Sequence, residues 1–146
     1  MNRREQLLQV LERDIQQDCV DYSGLHRLMQ SLYQQLLERN SAEIERINTQ
    51  IGFLVEYVRA RTQRRSKILE AFALGSGTEA MEKAFLLFSD SRGNALQQQW
   101  QELGELVKQA KQLNERNGKL LAMHNDILSQ LLSGERDSQV YTAQYF

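Results

Sequence analysis

Few residues of this 146-residue chain have types and spacing suited to catalysis. Its two histidines, His26 and His124, follow Ser23 and Leu121 by three positions, so the inward-facing Glu-x-x-His pairs of a di-iron or di-manganese bundle are missing. Cys19 is the single cysteine; it cannot form an internal disulfide, and no histidine stands at a spacing suggestive of a nucleophile and its base. Gly75-Ser76-Gly77 lacks the Lys-Ser/Thr of a phosphate loop, and no serine sits in a nucleophile elbow. The chain therefore reads as no enzyme, with no metal and no cofactor.

The chemistry that remains is recognition. From Trp100 to Leu131 apolar residues recur at steps of three and four: Trp100, Leu103, Val107 and Ala110, then Leu121, Leu128 and Leu131. The middle of this coiled-coil seam is occupied by Asn114, Asn117 and His124, where apolar knobs would give more stability. Asn114 and Asn117, one turn apart, either bond neighbouring helices and fix register or meet an incoming partner. A second stripe, Leu106, Leu113, Leu120 and Ile127, widens the apolar arc beyond what one neighbour needs. That arc can close on two helices of the same chain, or leave Leu120 to Leu132 partly free for a partner helix.

The basic run Arg59, Arg61, Arg64, Arg65 and Lys67 could serve nucleic acid, but at helical spacing it spreads around the cylinder. A formal net charge of −1 argues further against nucleic acid as a partner. A solvated face with one internal ion pair is the simpler reading. No stretch approaches the ~18 apolar residues of a membrane span, and Met1-Asn2-Arg3-Arg4 leads into an amphipathic pattern without a signal segment. A cytoplasmic protein without direct membrane insertion is expected, as a monomer or weak dimer.

The elements that must position these residues are all helical. The chain contains no proline, where average usage of about 5% would give roughly seven, and no period-two run of β-branched residues. The expected fold is all-α: a long antiparallel hairpin, a third long C-terminal helix in a three-helix, coiled-coil-like bundle, and one short extra helix. Helices are expected at about 2–38, 41–73, 78–88 and 94–132, within one domain over 1–134, followed by a flexible tail over 135–146.

The first helix carries Leu8, Leu11, Ile15, Asp18, Tyr22, Leu25, Met29, Leu32 and Leu36 on its seam, and Asn40 with Glu43 reads as a capping box for the second. The second carries Ile44, Ile47, Ile51, Leu54, Val58, Arg61, Arg65, Ile68 and Phe72, and is expected to stop near Gly75-Ser76-Gly77. Ser76 or Thr78 can cap the short helix. If the hairpin turns at Asn40, facing residue numbers sum to about 80, so the acidic interruption Asp18 meets the basic interruption Arg61, with Arg65 one turn on. An interhelical ion pair is predicted there. Gly93 and Gly104 could flank a hinge for the last helix.

The long hairpin, the glycine-containing break and the segment Leu113-Asn114-Glu115-Arg116-Asn117-Gly118-Lys119-Leu120-Leu121 resemble the FlgN family of bacterial flagellar export chaperones. The resemblance extends over almost the whole chain, including a tyrosine near the end, here Tyr141. It implies a cytoplasmic chaperone, without ATP or catalysis, for the hook-associated junction proteins, which covers their C-terminal helical segments and brings them to the flagellar export gate component. On that resemblance, Leu113, Leu120, Leu121, Ile127, Leu128, Leu131 and Leu132 would form the client surface, Asn114 and Asn117 would set register, and Tyr141 would contact the export gate. The alternatives left open are a homo-oligomeric coiled-coil scaffold and another helical secretion chaperone.

Overall fold

The computed structural model describes residues 2–131, and among these the elements are four helices: α1 (Arg3–Glu38), α2 (Ser41–Ala71), α3 (Gly77–Phe85) and α4 (Asp90–Leu131). The fold is all-α, as the composition predicts. Packing divides the chain into two compact units, one of Met1–Ser23 with Glu56–Val107, the other of Gly24–Val55 with Lys108–Phe146. Each long helix contributes a segment to both.

The helix ends follow local chemistry. Asn2 Oδ1 accepts from the Glu5 amide at 2.8 Å and caps α1; Asn40 Oδ1 accepts from the Glu43 amide at 3.2 Å and caps α2. The reciprocal half of the capping box is replaced. Glu43 instead holds Arg46 at 2.8 Å, while the Asn40 amide donates to the Gln35 carbonyl at 3.1 Å. That bond and the one from the Arg39 amide to the Leu36 carbonyl form a Schellman motif, with Arg39 left-handed at φ 57°.

The same motif ends α2 at Ala71, two residues before the expected bound of 73 and ahead of Gly75 to Gly77. Ala73 takes the left-handed conformation (φ 56°), with bonds from Ala73 to Glu70 at 2.9 Å and from Leu74 to Leu69 at 3.0 Å. The cause is burial: Leu74 packs against the core containing Leu69, so the chain turns before it reaches the glycines. Ser76 precedes α3 with an extended backbone, but its hydroxyl makes no capping bond. Gly77, the first residue of α3, is left-handed (φ 83°).

In unit 1 the core is one cluster. Leu8, Leu11 and Ile15 of α1, Ile68 and Leu69 of α2, Ala80, Met81, Ala84 and Phe85 of α3, Phe88, and Leu96 of α4 are all buried. The short helix thus fills this core with small and large residues in turn, and Trp100 meets Phe85 edge-on at 6.4 Å. Gly93 is packed, not a hinge: a Cβ there would lie 2.7 Å from the Phe85 carbonyl oxygen. This close approach, and the contact of Arg92 with Glu12 at 2.8 Å, draw the turn-forming residues from Asp90 onward into α4.

In unit 2, Leu25, Met29, Leu32 and Leu36 of α1, Ile47, Ile51 and Val55 of α2, and Ala110 of α4 are buried. All but Val55 lie on the seams predicted from sequence; on α2 Val55 is buried where Leu54 is expected, and Leu54 is only half-buried. Gly24 leaves room beside Leu54, where an added methyl would make an ordinary 3.5 Å contact.

Candidate functional site

Unit 1 contains the densest charge. Asp14, Asp18 and Asp21 occupy one face of α1 at spacings of four and three, and all are buried. Opposite them, Arg61 Nε donates to Asp18 at 2.5 Å and Arg61 Nη2 donates to Asp21. Arg65 Nη1 reaches the second Asp18 oxygen at 2.9 Å, and Arg64 binds Asp14 with two bonds of 2.6 and 2.9 Å. Burial disfavours the Arg61 charge, yet hydrogen bonds to Asp18 and Asp21 outweigh it and leave the guanidinium above its ordinary value.

The Asp18–Arg61 pair is the one predicted, and the hairpin register is the predicted one in this unit. The flanking pairs were not foreseen. A signal for them exists in the spacing of Asp14, Asp18 and Asp21, but Asp14 and Asp21 lie beside the apolar seam. With these pairs satisfied, and Arg65 also stacked over Trp100 at 5.1 Å, the cluster is a clamp between α1 and α2.

Nothing in this unit is poised as a nucleophile among the groups with shifted pKa. Burial, then the nearby Glu102 and Asp18 charges, push the Cys19 thiol up, and it donates to the Gln99 carbonyl at 3.5 Å. Burial and Asp18 likewise raise the Tyr22 hydroxyl, partly offset by Arg65 and Arg61. Among the described residues no group of three or more His, Cys, Asp or Glu could hold a metal ion.

Unit 2 holds the sequence-predicted recognition residues. Asn117 is 1% exposed and its Nδ2 donates to the Met29 carbonyl of α1 at 2.9 Å, a bond that fixes the register of α4. Asn114 is half-buried one turn earlier. The carbonyl oxygens of both side chains, together with Asn48 Oδ1 and His26 Nδ1, are buried without a hydrogen-bond partner among the described residues. Arg116 stacks on Tyr33 at 3.7 Å.

Leu113, Leu120 and Leu121 are half-buried, while Ile127 is exposed. For Leu128 and Leu131 only the helical backbone is described; Leu132 and Tyr141 lie outside the described residues.

Leu121 and His124, with Asn125, form one wall of a groove of about 660 Å³. The other wall comes from the end of α1 and the start of α2: Leu36, Arg39, Ile44, Asn48 and Thr49. Its floor is aliphatic and its rim carries amide, imidazole, hydroxyl and guanidinium groups and the carboxylate of Glu45. Met123 and Ile127 extend the exposed apolar surface along α4, at 58% and 36%. The sequence placed Leu121 and His124 on a seam but missed the α1 and α2 wall. The available signal was that His124 falls opposite the hairpin's last apolar residues, where a polar knob packs less closely than leucine.

A family model described as FlgN protein matches residues 1–143. Comparisons with curated proteins and with solved structures found no match.

Proposed function

The chain belongs to the FlgN family of flagellar export chaperones, and from that premise we propose that it binds hook-associated junction proteins through the groove of unit 2. The C-terminal helical segment of the client lies against Leu121 and His124 on one side and Ile44 and Asn48 on the other. The observation that carries this reading is the groove itself, an aliphatic floor with a polar rim among residues singled out for recognition. An amphipathic client segment loses entropy on ordering, and a preformed surface lowers that cost.

Leu113, Leu120, Ile127, Leu128, Leu131 and Leu132 extend the client surface, and Asn114 and Asn117 set the register of α4 that presents it, Asn117 through its bond to the Met29 carbonyl. Covering the client's helix prevents premature assembly. The chaperone then delivers the client to the export gate, which Tyr141 contacts; it does so in the cytoplasm, as a monomer or weak dimer, without catalysis or cofactor. No described helix is long and apolar enough to cross a membrane. Co-elution of the full chain with a hook-associated protein in size-exclusion chromatography tests the pairing. One-to-one co-elution is expected, abolished when the client lacks its C-terminal helical segment; separate elution would refute it.

A further inference from the structure

The groove of unit 2 lies close to the end of α4. Asn125, on its rim, precedes the last described helical residue, Leu131, by six positions, a rise of about 9 Å. Beyond Leu131 the chain continues for residues 132–146, and a ten-residue stretch alone spans up to about 33–36 Å when extended. Ser133-Gly134 is chemistry suited to a reversal of direction after a helix. The segment then ends in two apolar pairs, Val140-Tyr141 and Tyr145-Phe146.

The groove suits tyrosine better than a purely aliphatic side chain. Leu36, Ile44 and Leu121 offer an apolar floor for a ring, while Asn48, Thr49 and His124 offer hydroxyl partners beside it. Floor and rim together match an amphipathic aromatic side chain held by a short tether.

We infer that residues 140–146 of this same chain dock in the unit 2 groove when no client is present, and so act as an intramolecular competitor. The docking stands apart from the proposed function; its effect on client binding rests on that reading. A tether of this length gives an effective concentration in the millimolar range, so even a weakly complementary segment holds the groove for part of the time and lowers apparent client affinity about two- to ten-fold.

The test uses the full chain and a variant carrying Tyr141→Ser, Tyr145→Ser and Phe146→Ser, which leaves every residue of the buried cores described above unchanged. Amide spectra of the two proteins are compared by NMR, and each is titrated with the C-terminal helical segment of a hook-associated protein. Docking is supported if the amides of Ile44, Asn48, Thr49 and Leu121–Asn125 shift between the two proteins. It is overturned if the shifts are confined to residues 132–146 or fall elsewhere. A two-fold or larger gain in client affinity for the variant supports competition, and equal affinity overturns it. Groove shifts with no client binding by either protein support docking while refuting the client reading.

Discussion

Asp18 and Arg61 are bonded at 2.5 Å across α1 and α2, although 43 residues separate them in the chain. Asp18 is 1% exposed, so its charge depends on this partner and on Arg65. Removing one member of a buried charged set leaves the others without compensation, which costs more than the pair contributed.

Arg61→Met is therefore expected to lower unfolding stability by about 3–5 kcal/mol, measured as a shift of the urea midpoint. Arg46→Met is the contrast. Arg46 pairs with Glu43 on the exposed surface, so its loss should leave the midpoint nearly unchanged.

Two glycines of α4 should respond oppositely to alanine. At Gly93 the new methyl meets the Phe85 carbonyl at 2.7 Å, and a loss of roughly 1–3 kcal/mol is expected as packed backbone shifts. At Gly104 nothing lies within 4 Å, and Gly104→Ala should gain up to ~1 kcal/mol from helix propensity. Thermal unfolding of both variants checks the sign of each.

Arg39→Gly and Ala73→Gly should each stabilise the chain by about 0.5–1 kcal/mol, because both positions hold an L-residue in the left-handed region where glycine is relaxed. A lower melting temperature for either would contradict the motif assigned to that helix end.

Alkaline pH should weaken the fold through Tyr22. Its folded pKa is raised, first by burial and then by Asp18, so the folded chain keeps a proton that the unfolded chain releases. That contribution is fully present below the ordinary tyrosine value of about 10 and is lost as pH rises through the folded value. Stability against pH in this window should fall less steeply in Tyr22→Phe.

Much of this architecture was written in the sequence at the level of seams. Leu11, Ile15, Leu25 and Met29 are fully buried where steps of three and four put them, and Asp18 finds Arg61 because the one acidic interruption of a seam needed a basic one opposite. Features set by tertiary packing were less legible. The end of α2 at Ala71, with the left-handed turn at Ala73, depends on where Leu74 finds its core, and Gly93 owes its place to a carbonyl contributed by another segment. At the groove, Leu121 and His124 were readable from periodicity, whereas Leu36, Ile44 and Asn48 join them only because the helices leave space between their side chains near the hairpin turn.

The central claim is that Leu121 belongs to a binding surface more than to the core. Calorimetric titration of wild-type and Leu121→Ala protein with the C-terminal helical segment of a hook-associated protein, beside urea unfolding of each, tests it most directly. Leu121 is half-buried, so the truncation should cost at least tenfold in client affinity, which is ~1.4 kcal/mol, and less than that in unfolding stability. A larger loss of stability than of affinity, or unchanged binding, would place Leu121 in the core and contradict the groove as the client site.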